Sequence, residues 1–213
     1  MPVTERELRL AVLEAARGMN TGGINRGTSG NVSARWLDGM LITPSGVPYD
    51  RLDPDDLVAM GLDGDRIRPV GARPSTEWRL HARIYGARRD LGSVLHAHPL
   101  FATALACSGR GIPAFHYMIA VAGGAEIACA RYATFGTQDL ADAAVDALGP
   151  RRACLLANHG LVACATDPES ALELAIEVEA LAAQYWHALQ LGAPTILDEA
   201  EMRRVLEAFH TYR

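Results

Sequence analysis

The sequence predicts an α/β or α+β sandwich, and three observations lead to that fold class. Apolar residues recur at helical spacing in several segments, the first of which begins after Thr4. Short apolar segments that read as strands alternate with these helices along the chain. A composition that is 49% hydrophobic over 213 residues supplies enough apolar side chain for a full core. Because no repeat, low-complexity tract or linker divides the chain, we expect a single domain over residues 1–213.

Charge and composition argue against several classes of partner and location. The net charge is −5, which does not suit binding to nucleic acid or to an anionic membrane surface. No apolar run approaches the roughly 18 residues that a membrane span needs. The first residues lack the basic and then apolar pattern of a secretory signal. The four cysteines show no CxxC spacing, so we expect reduced, mostly buried thiols in a cytoplasmic protein.

The chain contains no lysine, since all 20 basic residues are arginine. Schiff-base chemistry through a lysine amine is therefore excluded. If the protein acts on a carbonyl compound, a metal ion or a neutral hydrogen-bond donor must stabilise the negative charge that develops.

The first elements have clear start and stop signals. Thr4 and Glu7 form a capping-box pattern, and helical spacing continues to about Met19. Strands are predicted over 32–36 and 40–43, joined by the hairpin signal Asp38-Gly39. The segment 50–73 has the turn residues of surface structure.

A second helix is predicted from about Trp78. Ser75 or Thr76 is a natural N-cap for it, and Glu77 is placed in its first turn. An acid in that position complements the helix dipole, which is the simplest explanation for Glu77. For His81, one turn further on, we expect packing or hydrogen bonding.

The remaining elements follow the same rules. The apolar spacing and the turn residues predict strands at about 94–98, 127–132, 152–156 and 161–164, and helices at about 100–108, 139–148, 168–189 and 198–209. The core stripe of the helix at 168–189 is interrupted by Glu179.

Two histidines stand two residues apart on the strand at 94–98. Because alternate side chains on a strand share a face, His96 and His98 point the same way. Neutral imidazole is a common ligand of divalent metals. His159 lies at a turn between two apolar strands and Glu77 at a helix start, so these four residues can close a metal site. Two polar residues on a half-exposed strand face are the alternative explanation of the pair.

Two turns rich in glycine and hydroxyl residues flank the first hairpin, over residues 27–31 and 44–46. Such turns expose backbone N–H groups and hydroxyl donors, which can hold an anion without any cation. Ordinary turn chemistry accounts for either turn taken alone.

Five motifs in order over nearly the whole chain resemble the class II aldolase/adducin family. They are Gly27-Thr28-Ser29-Gly30-Asn31-Val32-Ser33, Ile42-Thr43-Pro44-Ser45-Gly46, Pro74-Ser75-Thr76-Glu77, His96-Ala97-His98 and Asn158-His159-Gly160-Leu161. Residues 116–120 and 132–137 look most like the members of that family that cleave L-fuculose 1-phosphate.

The resemblance implies a three-layer α/β/α sandwich with a mixed, mostly antiparallel central sheet. It also implies a fourfold-symmetric homotetramer with active sites at the subunit interfaces. The activity it implies is the reversible, metal-dependent cleavage of a ketose 1-phosphate of the L-fuculose 1-phosphate type. The products are dihydroxyacetone phosphate and an aldehyde of the L-lactaldehyde type.

The family's functional residues map onto matching positions of this chain. His96, His98 and His159 match zinc ligands, and Glu77 matches the acid that completes the coordination and acts as acid/base. Co²⁺ or Mn²⁺ would also suit this ligand set. Tyr117 and Tyr212 match tyrosines that reach a neighbouring subunit's site, Tyr117 handling the proton on the aldehyde-side oxygen. The residues that match the phosphate cradle are Thr28, Gly30, Asn31, Ser45, Gly46, Ser75 and Thr76.

Several alternatives within and beyond this family stay open. An aldolase acting on 5-deoxyribulose or 5-methylthioribulose 1-phosphate would recognise the same dihydroxyacetone phosphate half. A dehydratase on the same scaffold would release water instead of an aldehyde, and a 4-epimerase would more often have Asp where this chain has Glu77. A non-catalytic scaffold module can lose the metal ligands, whereas His96, His98 and His159 are all present here.

Overall fold

The computed structural model of the chain describes residues 3–212, except the side chains of His210 and Tyr212. Six α-helices lie within this range: α1 (Glu5–Thr21), α2 (Trp78–Ala87), α3 (Leu100–Cys107), α4 (Gln138–Leu148), α5 (Pro168–Leu191) and α6 (Glu199–Tyr212). The strands are β1 (Asn31–Trp36), β2 (Gly39–Ile42), β3 (Val58–Gly61), β4 (Ser93–Ala97), β5 (Ile112–Pro113), β6 (Glu126–Ile127), β7 (Cys129–Ala130), β8 (Ala153–Leu156) and β9 (Gly160–Ala165).

Seven of these strands form one central sheet in the order β3-β2-β1-β4-β9-β8-β7. Every neighbouring pair is antiparallel except β7 and β8, which are parallel. β5 and β6 form a separate two-stranded sheet. The mixed, mostly antiparallel sheet expected from the family resemblance is therefore confirmed.

The central sheet lies between two layers of helices. On β4, Leu95 and Ala97 pack into the core beneath α1, α3 and α5, whereas Val94 packs on the opposite side with α2 and α4. Alternate residues of a strand thus serve separate cores, which explains why the central strands are apolar on both faces. The predicted three-layer α/β/α sandwich is confirmed.

The local signals read from the sequence place most elements correctly. Thr4 and Glu7 form the predicted capping box, in which each side chain accepts the other residue's backbone N–H. α1 runs to Thr21, two residues beyond the predicted end. Within residues 3–212, no helix has the length and apolar character that crossing a membrane requires.

Three local predictions were wrong. The segment 50–73 holds strand β3, whose four residues are too few to show a period between two turns rich in aspartate. The N-cap of α2 is Glu77 itself rather than Ser75 or Thr76. The strand predicted at 127–132 is divided between β6 and β7, which pair with different partners.

The cysteines are less buried than expected. All four are free thiols, and Cys154 and Cys164 are buried. Cys107 is exposed at the end of α3, and Cys129 is partly buried.

Glu179, which interrupts the apolar stripe of α5, has a structural explanation. Its two carboxylate oxygens accept the backbone N–H groups of Phe101 and Ala102, each at 2.8 Å. These amides belong to the first turn of α3, where helix geometry leaves N–H groups without partners. α3 follows directly on His98 and Pro99, so Glu179 anchors the chain just past the end of β4.

Replacing Glu179 by Ala should lower the free energy of unfolding by roughly 1–3 kcal/mol, because two amides lose their acceptor. Urea unfolding followed by circular dichroism measures the change. Glu173→Ala, an exposed glutamate on the same helix, is the matched control and should have little effect. Equal effects of the two substitutions would contradict this role for Glu179.

Candidate active site

Four potential metal ligands converge at one end of the central sheet. His96 lies in β4, and His98 follows the end of that strand. His159 lies in the tight turn between β8 and β9, and Glu77 caps α2. One ligand atom from each residue lies within 4.8 Å of the other three. The structure thus brings together the three predicted histidines and the predicted glutamate.

The donor atoms face a common centre. His96 Nε2 lies 2.9 Å from His98 Nε2 and 3.1 Å from Glu77 Oε2. His159 Nε2 lies 3.4 Å from Glu77 Oε1. His96 is fully buried and Glu77 nearly so, while His98 and His159 are partly exposed toward a cavity.

The hydrogen bonds of the site suit a cation at this centre. His96 Nδ1 lies 2.9 Å from the carbonyl oxygen of Leu161, which can only accept, so Nδ1 carries the proton. When this ring is neutral, its lone pair is on Nε2, which points to the centre. Glu77 Oε1 is buried and accepts no hydrogen bond from the described residues. A divalent metal would satisfy both atoms.

The pKa values of the site agree with that fit. Burial, and next the charge on His96, lower the pKa of His98 and of His159 to about 4, so both rings are neutral near pH 7. Burial opposes ionisation of Glu77, but His96 and His159 outweigh it and hold the pKa of this carboxyl below its ordinary value. Burial likewise opposes a charge on His96, yet Glu77 raises its pKa. The cluster therefore combines an ionised carboxylate with two neutral imidazoles, which is a donor set that suits a cation.

The turn that carries His159 is shaped by its neighbours. Asn158 adopts φ 55°, a left-handed conformation that asparagine tolerates better than most residues. A Cβ on Gly160 would lie 2.4 Å from the Ala97 carbonyl oxygen and 2.7 Å from the His98 ring. The absence of a side chain at Gly160 thus lets the hairpin approach β4 closely enough for His98 and His159 to meet.

A cavity of about 350 Å³ opens beside the four ligands, and Glu77, His98 and His159 form part of its wall. Its wall also includes every residue that matches the phosphate cradle: Thr28, Gly30, Asn31, Ser45, Gly46, Ser75 and Thr76. Gly30 and Gly46 have φ of 76° and 74°, which other residues rarely adopt. The two glycine-rich turns therefore face the same space as the candidate ligands.

The two tyrosines expected from the family resemblance are not brought to this cavity. Tyr117 is 51% exposed, and its ring packs against His116 and Phe209 rather than lining the cavity. The side chain of Tyr212 lies outside the part of the chain that the structure describes.

Two aromatic residues of the cavity were missed as site residues. Tyr132 and Phe135 line its mouth, and both are more than 60% exposed. They lie in the loop between β7 and α4, where Gly136 runs close to the Thr76 backbone. Exposed aromatic residues flanking a glycine in a loop were the available signal.

His81 is buried and hydrogen-bonded, which confirms the expectation for it. Burial, and next the charge on His96, lower its pKa to about 3, so the ring is neutral. Its Nδ1 lies 2.6 Å from Ser33 Oγ and its Nε2 lies 2.5 Å from Asn31 Oδ1.

The sequence also matches an established family pattern, described as the Class II Aldolase and Adducin N-terminal domain, over residues 10–186. The chain belongs to the class II aldolase family. Class II aldolases are metal-dependent enzymes, and the cluster of three histidines and a glutamate is where this chain can hold a metal.

Relatives at high identity extend over almost the whole aldolase chain. A 5-methylthioribulose-1-phosphate/5-deoxyribulose-1-phosphate aldolase of Rhodospirillum rubrum is 50% identical, covering 100% of this chain and 95% of the relative. An L-fuculose phosphate aldolase of Escherichia coli K12 is 45% identical, covering 97% of this chain and 95% of the relative. A solved structure of an L-fuculose 1-phosphate aldolase superposes with a TM-score of 0.92 at 36% identity, covering 99% and 98% of the two chains.

Gly160→Ala should reduce the metal content of the purified aldolase and destabilise it by about 1–3 kcal/mol, the usual cost of overpacking. The new methyl group would push Ala97 and the His98 ring away from His159. Elemental analysis after dialysis and thermal unfolding measure the two effects. Gly86→Ala is the control, since a Cβ there meets open space. Full metal content in Gly160→Ala would contradict the close approach.

Proposed function

We propose that this aldolase cleaves a ketose 1-phosphate between its third and fourth carbons, giving dihydroxyacetone phosphate and an aldehyde. The observation that carries the proposal is the juxtaposition of four metal-ligand side chains with a hydroxyl- and glycine-lined cavity. A metal held by the four side chains would bind a carbonyl and hydroxyl pair, and the hydroxyl- and glycine-lined cavity suits a phosphate. A ketose 1-phosphate carries both groups at one end.

His96, His98 and His159 are the proposed ligands of a Zn²⁺ ion, with Glu77 completing the site; Co²⁺ or Mn²⁺ would also be accepted. The metal supplies Lewis-acid stabilisation of the negative charge that develops when the carbon–carbon bond breaks. Three neutral imidazoles leave the full dipositive charge available. The metal would thus do what a lysine amine does in Schiff-base chemistry, for which this chain has no lysine.

The phosphate is proposed to bind on the wall formed by the turns at 27–31 and 44–46 and by Ser75 and Thr76. Thr28, Ser45, Ser75 and Thr76 offer hydroxyl donors there. Gly30 and Gly46 let the backbone turn so that N–H groups can face an anion. None of the arginines that the structure describes lines this wall, and the chain contains no lysine, so neutral donors would hold the phosphate.

Glu77 is the proposed acid/base. Substrate would displace Glu77 from the metal, and its Oε1, which has no hydrogen-bond donor among the described residues, would then take or deliver a proton at the third carbon of dihydroxyacetone phosphate. Cleavage also removes a proton from the hydroxyl on the fourth carbon, which becomes the aldehyde oxygen. We assign that proton to Tyr117, acting from a neighbouring subunit.

The exposed position of Tyr117, away from the cavity of its own chain, supports this assembly. We propose the fourfold-symmetric homotetramer typical of the family, in which Tyr117 and Tyr212 reach an adjacent active site. The single domain 1–213 would be its repeating unit. The free thiols agree with the cytoplasmic location that the sequence predicts.

Three ketose 1-phosphates are candidate substrates, and they differ in the half that leaves as the aldehyde. The relative that shares 50% identity supports 5-methylthioribulose or 5-deoxyribulose 1-phosphate, and we propose these first. The relative at 45% identity and the superposed structure support L-fuculose 1-phosphate, the substrate expected from the sequence. All share the dihydroxyacetone phosphate half.

Purified, metal-analysed protein should release dihydroxyacetone phosphate from at least one of these ketose 1-phosphates. A coupled assay follows the release, and the ratio of kcat/KM values ranks the substrates. Chelator should abolish the release and added Zn²⁺ should restore it. Metal-loaded protein that releases no dihydroxyacetone phosphate from any of them would contradict the proposal.

A further inference from the structure

A chain of buried polar side chains leads from Glu77 into the core between β1 and α2. Asn31 Nδ2 lies 3.2 Å from Glu77 Oε2, and Asn31 Oδ1 lies 2.5 Å from His81 Nε2. Beyond it, His81 Nδ1 lies 2.6 Å from Ser33 Oγ, which lies 2.8 Å from the Tyr85 hydroxyl. All five residues are at most 6% exposed.

The spacing of these residues explains why they meet. Glu77, His81 and Tyr85 recur at intervals of four, so they share one face of α2 and its cap. Asn31 and Ser33 alternate on β1, so they share the sheet face that meets α2. Strand β1 and helix α2 with its cap therefore position all five polar side chains.

The ionised carboxylate of Glu77, at one end of this row of polar side chains, sets the direction of every hydrogen bond in the row. An ionised Glu77 can only accept, so Asn31 must present its NH₂ group to it and its carbonyl oxygen to His81. His81 then donates from Nε2 and accepts at Nδ1. Ser33 donates to that nitrogen and accepts from the Tyr85 hydroxyl. Burial raises the pKa of Tyr85 far above its usual value, so its proton stays in place.

We infer that His81 is a positioning residue for Glu77, acting through Asn31. The Nε2–H of His81 holds the Asn31 amide in the one orientation that offers a donor to Glu77 Oε2. That bond leaves Oε1 directed at His159. The inference rests on the acid/base role proposed for Glu77.

The Asn31 side chain thereby gains a second role. Its carbonyl oxygen accepts from His81, and one N–H of its NH₂ group donates to Glu77. Asn31 lines the cavity, so its second N–H is the only side-chain donor that it has left for the phosphate. The hydroxyl groups and turn amides around it would then carry most of the phosphate.

His81→Leu removes the donor with an apolar side chain of similar bulk. The expected result is a fall in kcat of roughly 10–100-fold, the usual cost of losing such a supporting group, with KM and metal content nearly unchanged. Exchange of solvent deuterium into dihydroxyacetone phosphate alone should slow to a similar extent, because it requires only the Glu77 step. Glu77→Gln provides the benchmark for complete loss of that step.

Two further variants test whether His81 positions Glu77 or only stabilises the fold. His81→Gln keeps an N–H donor near the position of Nε2 and should restore most of the kcat. Tyr85→Phe also removes a buried hydrogen bond, but it leaves the Ser33–His81–Asn31 order intact and should keep most of the activity. A loss in Tyr85→Phe equal to that in His81→Leu, or full activity in His81→Leu, would overturn the inference.

A crystal structure of His81→Leu tests the same point without reference to turnover. The Asn31 amide should be rotated and the Glu77 carboxylate displaced from its wild-type position. If both keep their positions, the inference is wrong, even if wild-type protein proves to cleave none of the proposed substrates. Absence of cleavage by the wild type contradicts only the proposed function.

Discussion

The register of β4 between its two neighbours is the constraint on which the site depends. His96 lies opposite Asn31 of β1 and opposite Val162 of β9. This pairing sets His96 beside the residue that contacts Glu77 and brings the end of β4 to the turn holding His159. A slip of one residue would turn the His96 side chain to the other face of the sheet, because strand side chains alternate. Backbone hydrogen bonds thus set the geometry of the candidate metal centre.

The site has few positively charged side chains of its own. The chain has no lysine, and among residues 3–212 no arginine lines the cavity, so only neutral donors face the proposed phosphate. Burial keeps the rings of His98 and His159 neutral, while Glu77 stays ionised. In the proposed reaction, a bound metal would supply the positive charge that stabilises an anionic carbon. The protein orients the ligand side chains: the Leu161 carbonyl oxygen fixes the His96 ring, and Asn31 and His81 hold Glu77.

Much of this arrangement could be predicted from local patterns. The Thr4–Glu7 capping box, the first hairpin and the shared face of His96 and His98 follow from spacing alone. Strand β3 could not be found in this way, because four residues between turns show no usable period. The meeting of Glu77 with His159 depends on long-range strand pairing, so residue types alone could only suggest it, and the family motifs gave the stronger indication.

The contacts that the sequence did not predict share one physical cause. Tyr132 and Phe135 reach the cavity because a loop after β7 folds back toward the Thr76 backbone. Glu179, in α5, accepts backbone N–H groups at the start of α3, which lies more than 70 residues earlier in the chain. Asn31 meets His81 across two layers. In each case the partner is distant in sequence, and neither propensity nor spacing identifies a distant partner.

Diffraction from zinc-loaded crystals at wavelengths on either side of the zinc edge would show directly whether these histidines bind the metal. We expect one strong anomalous peak per subunit, within bonding distance of the Nε2 atoms of His96, His98 and His159. A peak elsewhere, or full occupancy in a variant that lacks His96, would contradict it.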